Sequence, residues 1–363
     1  MALKQPALGT AATILVMAIA LVFVSLFPFP TFAGWVAYFL LCVIPIQIVM
    51  AVTWGSARPA AAANTPQPLR GLLLTLFALV IGAAVAALAL EVVGAGVTPP
   101  APILAHWVIV SVPVMFWAAI MWGGWPFTKV IKNPLAAGLV MLVACYVVNG
   151  LLFRVFFSYE FMKGAPIYVA SIDPHGMFNG WSALVFYVTA LAAMFLILAF
   201  DLWPLTADPK IMQQPVLGIV WTMMALAIGL LAFYIGVDVL HMDVVHFLVT
   251  VPVPFIFGSI VVLNMLQNSL FAGVKQPLKG IANTIAIVVV GVVLSRVYGL
   301  LAPMVTGTLN AGPPAYDFEI WLASSLLSVT FPFLIFYAEF FQYWPLASRA
   351  SASNPAKAQI TRT

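Results

Sequence analysis

Residues 236–249 read GVDVLHMDVVHFLV and put Asp238, His241, Asp243 and His246 close together in a chain that is only 7% charged. Neutral imidazole and carboxylate together are a donor set for Cu, Zn or Fe, and His is the side chain that changes charge near neutrality. The spacing D-x2-H-x-D-x2-H lacks the fixed helical geometry of HExxH, so it names candidates and not a motif. On one unbroken helix, at roughly 100° per residue, Asp238 and His241 share one face while Asp243 and His246 share another. A turn between Leu240 and Asp243 allows both pairs to converge. It also makes Asp243 the first residue of a new helix, where an Asp serves equally well as an ordinary N-cap.

Other polar residues fall into matched sets. AHWVIVSVPV resembles VHFLVTVPVP, which pairs His106 with His246, and FRVFF resembles SRVYG, which pairs Arg154 with Arg296; Glu91 pairs with Asp238. The segment SIDPHG adds Asp173 and His175, in a context that is also good turn chemistry. The metal-ligand candidates are therefore His106, His175, His241, His246, Asp238 and Asp243, with Met242 as a soft neighbour. Arg154, Arg296, Glu91 and Asp173 are their polar partners. A haem is the variant reading, with His106 and His246 as axial ligands and the two arginines facing its propionates. The ordinary reading of the arginines is an ion pair each, Arg154 to Glu91 and Arg296 to Asp238, because a charge at membrane depth needs a partner.

The elements that hold these residues follow from the solvent. The 363-residue chain is 64% hydrophobic, with a mean hydropathy of +1.13, which predicts an integral membrane protein. Its apolar runs lack the alternation of barrel strands, so they are expected to be helices, whose backbone groups are satisfied internally. Ten spans are expected, near 8–29, 33–54, 70–93, 104–124, 135–157, 179–202, 216–239, 245–267, 279–301 and 318–341. The first follows Lys4 as a signal peptide would, but its apolar stretch is too long and it belongs to the repeat below. Cys42 and Cys145 fall inside spans, with no CxxC motif.

An even number of spans leaves both termini on one side. That side collects Lys4, Arg58, Arg70, Lys129, Lys132, Lys210, Lys275, Lys279, Arg349, Lys357 and Arg362, against Arg154, Lys163 and Arg296 on the other. The positive-inside bias then predicts cytoplasmic termini, with a bacterial inner membrane as the expected location. The net charge of +4 reflects this topology and gives no reason to expect nucleic acid as a partner. All four His and seven of the ten acids lie on the side facing away from the cytoplasm, where chemistry is expected.

The turns on the basic side share a pattern. TWGSARPAAAANTPQPLRG, MWGGWPFTKVIKNPLAAG, DLWPLTADPKIMQQPVLG and AGVKQPLKG run from a helix end to Gln-Pro or Asn-Pro, and the chain opens with KQPALG. This predicts a helical hairpin used five times, with Pro at a helix start, where its missing N–H removes no bond. A longer period overlies it: residues 67–205 align with 214–346. The expected organisation is an N-terminal hairpin (1–57), two tandem four-helix units in parallel orientation (67–205 and 214–346) related by a pseudo-twofold axis, and a cytoplasmic tail (347–363). Pro in IPI, VPV and VPVP predicts kinks in the second, fourth and eighth helices.

Three functions fit this pattern. The leading one is a membrane oxidoreductase, or the membrane subunit of one, with a transition metal or haem at the outer face. The others are a secondary transporter for a neutral or apolar solute, since the spans carry few charges at mid-depth, and a structural or assembly subunit whose outer face docks another membrane or periplasmic subunit.

Overall fold

Among the described residues, ten helices are long and apolar enough to cross a membrane: α1 Ala7–Ser25, α2 Phe29–Thr53, α3 Leu69–Val92, α4 Pro102–Met121, α5 Pro134–Phe156, α6 Gly180–Ala199, α7 Val216–Val239, α8 Val244–Met265, α9 Leu278–Val305 and α10 Asp317–Phe340. The structure, a computed structural model, describes residues 3–55, 59–165 and 167–347. The helices start and stop within four residues of the expected spans. Arg58, Arg349, Lys357 and Arg362, and the tail beyond 347, lie outside the described residues.

Burial divides the ten into two sets. In their most apolar stretch α2, α4, α6 and α8 are 72% buried and α10 is 61% buried, against 44, 22, 33, 28 and 22% for α1, α3, α5, α7 and α9. The buried set forms a closed ring: α2 packs on α4, α4 on α6, α6 on α8, α8 on α10, and α10 back on α2. The other five form an outer layer. Each outer helix lies against two ring helices: α3 on α2 and α10, α5 on α4 and α2, α7 on α6 and α4, α9 on α8 and α6, and α1 on α10 and α8. Their far faces expose large apolar side chains, among them Ile14, Leu72, Leu151, Met223 and Leu300, which a surface in water would not present so continuously.

The expectation of a twofold axis gives way to this fivefold arrangement. The ring helices follow one another in chain order, so 67–205 and 214–346 occupy successive stretches of the ring.

The outer helices are fastened at one end by a repeated device. QPALG, QPLRG, QPVLG and QPLKG open α1, α3, α7 and α9. In each, the Gln Oε1 accepts from the Gly N–H four residues on, at 3.0–3.2 Å (Gly9, Gly71, Gly218, Gly280), and so satisfies a first-turn donor that has no helical partner. The Gln Nε2 reaches across to the end of a ring helix. Gln5 donates to Met265 O, Gln67 to Phe340 O and Gln214 to Met121 O; Gln276 differs and donates to the Asp201 carboxylate, which also accepts from Lys279 and Asn268. The motif's Gly is required by that close approach. A Cβ at Gly71 would fall 2.6 Å from the Phe341 ring, and one at Gly218 2.6 Å from the Trp122 ring. α5 departs from the pattern, with Asn133 capping Leu135 N–H at 3.0 Å.

Prolines interrupt the ring helices at the expected places, Pro45 in α2, Pro113 in α4, and Pro252 and Pro254 in α8, and Pro332 adds a fourth helix, α10. α8 is broken outright: it is helical over Val244–Thr250 and again over Pro252–Ser259, with Val251 between them at φ −117°, ψ −76°. Wide π-helical turns end α2, α4, α8 and α10 at the Gln-Pro end. At the opposite, histidine end, the loop between α5 and α6 is tied down by a short parallel pair, β1 Phe157–Ser158 with β2 Phe178–Asn179.

Candidate functional site

The opening segment folds as a turn. α7 ends at Val239, His241 takes a left-handed backbone conformation (φ 52°), and Asp243 starts α8. Its Oδ1 accepts from Val245 N–H (3.0 Å) and His246 N–H (2.9 Å), so Asp243 is the N-cap. Asp238, His241, Asp243 and His246 are all exposed. His106 is in a different environment. It is buried in α4, with its Nδ1 2.8 Å from the Tyr159 hydroxyl and its ring edge-on to Trp181 at 4.5 Å. The two histidines matched in sequence therefore occupy a core and a surface. Among the described residues, the β1–β2 pair that ties the loop beside His106 occurs once.

Asp173 organises that loop. Its buried carboxylate accepts from Tyr159 N–H, the Tyr168 hydroxyl (3.0 Å) and His175 N–H (2.9 Å), so three donors are satisfied by one side chain. Outside it, His175 Nδ1 stands 3.3 Å from Glu160 Oε1, which also takes Lys163 at 3.0 Å and is held below the ordinary carboxylate range by that bond and charge. Burial, then the charge of Asp173, raises the Tyr159 hydroxyl well above its ordinary value. Tyr159 is thus a neutral hydroxyl hydrogen-bonded to His106 Nδ1.

The expected ion pairs of Arg154 with Glu91 and Arg296 with Asp238 are corrected: among the described residues neither forms, and all four side chains are exposed. Each arginine lies near the histidine end of an outer helix, Arg154 in α5 and Arg296 in α9. Among the described residues, no group of three or more His, Cys, Asp or Glu lies close enough to hold one metal ion. The sequence candidates separate into the exposed turn 238–246, the Asp173–His175 loop and the buried His106.

Two residues that the sequence did not mark, Trp181 and Tyr316, come together with His106 and Asp243. Trp181, at the start of α6, contacts His106 on one side and Tyr316 on the other, with ring centres 4.5 and 6.5 Å away. Tyr316, just before α10, donates its hydroxyl to Asp243 Oδ2 at 2.8 Å. Burial, and then the Asp243 carboxylate, push that hydroxyl up to about 12, so it remains a donor. A chain of contacts thus runs Tyr159–His106–Trp181–Tyr316–Asp243. It joins the histidine ends of α4, α6, α10 and α8 at the mouth of the ring, and the Trp181–Tyr316 contact links α6 and α10, which are not ring neighbours.

Inside this mouth lies a cavity of about 100 Å³ on the ring axis. All five ring helices line it, with Ile44 from α2, Pro113 and Phe116 from α4, Val188 from α6, Ile256 from α8 and Ser328 from α10. Ser324 and Ser328 are its polar side chains, and none that line it is ionisable. A space with so few polar partners offers little to hold a water molecule. The sequence offered a partial signal for it, the prolines of IPI, VPV and VPVP. Trp181 and Tyr316 gave none, because they meet across elements far apart in the chain.

No family model, characterised protein or solved structure matches the chain. Function therefore has to be argued from the site itself.

Proposed function

We propose that this chain is an integral membrane carrier for a small, neutral, predominantly apolar solute, held in the axial cavity of the helix ring. In this reading all ten helices span the membrane, the Gln-Pro end and both termini face the cytoplasm, and the histidine end faces the outside of a bacterial inner membrane. The basic residues on the Gln-Pro turns support that orientation. Segments 67–205 and 214–346 are then two successive pairs of hairpins, with 1–57 the remaining one and 347–363 a cytoplasmic tail.

One observation carries the reading: five helices, four of them interrupted by proline, close around an apolar cavity that all of them line. Ring helices interrupted by proline have backbone groups outside the helical ladder, and in a membrane such breaks persist where protein buries them or where they line a cavity. The cap of His106, Trp181, Tyr316 and Asp243 lies at the outer mouth, where a carrier needs a gate.

The test uses the full chain in lipid nanodiscs with a diazirine-bearing octanol as photoreactive probe. Labelling of the cavity-lining peptides of α2, α4 and α10 is expected, with loss in Ser328→Trp, together with faster flux of neutral solutes into proteoliposomes that the same substitution removes. Lining peptides that stay unlabelled in folded protein would overturn the reading. A stoichiometric transition metal or a Soret band in the same preparation would turn it toward the oxidoreductase, with His241, His246 and Asp238 as the first ligands to substitute.

A further inference from the structure

A second cavity, of about 360 Å³, lies between α6, α7, α8 and α9. It is lined by Thr189 and Ala193 of α6, Ala232 of α7, Pro252 and Phe255 of α8, and Val292 of α9. The outer helices α7 and α9 flank it and present Leu230, Leu231 and Val289 on their exposed surface, so in a membrane this cavity faces acyl chains.

The two cavities lie on opposite sides of one seam. Val188 of α6 lines the axial cavity and Thr189 the lateral one; along α8, Leu248, Val253 and Ile256 face the axis while Thr250, Pro252 and Phe255 face the groove. The seam coincides with the break in α8 at Val251. Pro252 and Pro254 lack an N–H, so the carbonyls of Leu248 and Thr250 lose their helical donors, one residue on each side of the seam. A broken helix carrying two such carbonyls can shift its short Val244–Thr250 segment without unmaking a continuous ladder.

We infer that the groove between α7 and α9 is a lateral portal, through which an apolar molecule dissolved in the bilayer, with at most an isolated hydroxyl, passes between α6 and α8 into the axial cavity. This rests on the carrier reading and names its substrate class, a solute drawn from the membrane and not from water. The continuity of the two linings across a single broken helix carries the inference. An isolated hydroxyl is a donor that carbonyls without a helical N–H, such as those of Leu248 and Thr250, can accept.

The diazirine-bearing octanol tests it by time-resolved photolabelling in nanodiscs. Ala232→Trp fills the groove from the outer layer and leaves the ring untouched; Val292→Trp fills it from α9 should the first variant not fold. The expected result is axial labelling on α2 and α10 that is severalfold slower in the filled variant and reaches the same end point. Equal rates would overturn the portal and leave the carrier standing. Groove labelling in the native protein with no axial labelling at any time would overturn both and make the groove a resident acyl-chain site.

Discussion

Gln5, Gln67 and Gln214 make the same pair of bonds at one end of the ring, whereas at the other end His106 and His246, matched in sequence, are one buried and the other exposed. The first end is a joint. Each outer helix must start there and be fastened to a ring helix, and one motif solves the problem four times. The second end has unequal loops and, among the described residues, one β1–β2 clamp and one such contact chain. Repetition here marks what assembles the ring, and departure from repetition marks where the ring is closed over its cavity.

The largest effect should come from the packing that both ends share. Gly258 of α8 and Gly291 of α9 interlock, since a Cβ on either would overlap backbone of the other helix, at Ile287 O and Pro254 O. In a membrane, small residues allow backbones to approach closely where no water-driven force holds helices together. Gly291→Leu is therefore expected to cost about 3 kcal/mol or to prevent folding, read as loss of the folded fraction in a denaturing-detergent titration. Retained stability would show that the α8–α9 contact is loose.

Asp173→Ala comes next and separates the ends. It strands Tyr159 N–H, the Tyr168 hydroxyl and His175 N–H, at about 2 kcal/mol, in a loop that serves only the histidine end. Melting in mild detergent should fall by a few degrees while the Gln-Pro end stays intact, and Tyr159, no longer held, should release His106. Increased proteolysis within 158–178 and unchanged cleavage elsewhere is the expected pattern. A uniform loss of protection would mean that the two ends are coupled through the ring.

Much of the fold was legible because it is periodic. Apolar length marked all ten helices, and the Gln-Pro-x-x-Gly turns marked the hairpin. The closure of the ring was not legible. An alignment orders repeats along the chain, but whether five of them close on themselves depends on the angle each hairpin adds, and that angle is set by contacts such as Gly71 on Phe341. The site was less legible still. Asp243 and His106 stand out in the sequence as ionisable residues in an apolar chain, and both lie at the histidine end of the ring. Their partners Trp181 and Tyr316 are aromatic residues in a chain that is 13% aromatic, where type alone distinguishes nothing.

The smallest effect tests the joint itself. Gln214→Ala removes the bond to Met121 O and leaves Gly218 N–H without its acceptor, an expected loss of about 1 kcal/mol. Gln67→Ala should match it, because its acceptor is likewise a ring-helix carbonyl. Gln276→Ala should cost less. Its acceptor, Asp201, keeps Lys279 at 2.7 Å and Asn268 at 3.0 Å, so the carboxylate remains satisfied when the amide is removed, and only Gly280 N–H is stranded. Equal losses at all three positions would show that the stranded glycine donor sets the cost; a smaller loss at Gln276 would show that the far acceptor does, and that the joint works by fastening the outer helix to the ring and not merely by capping it.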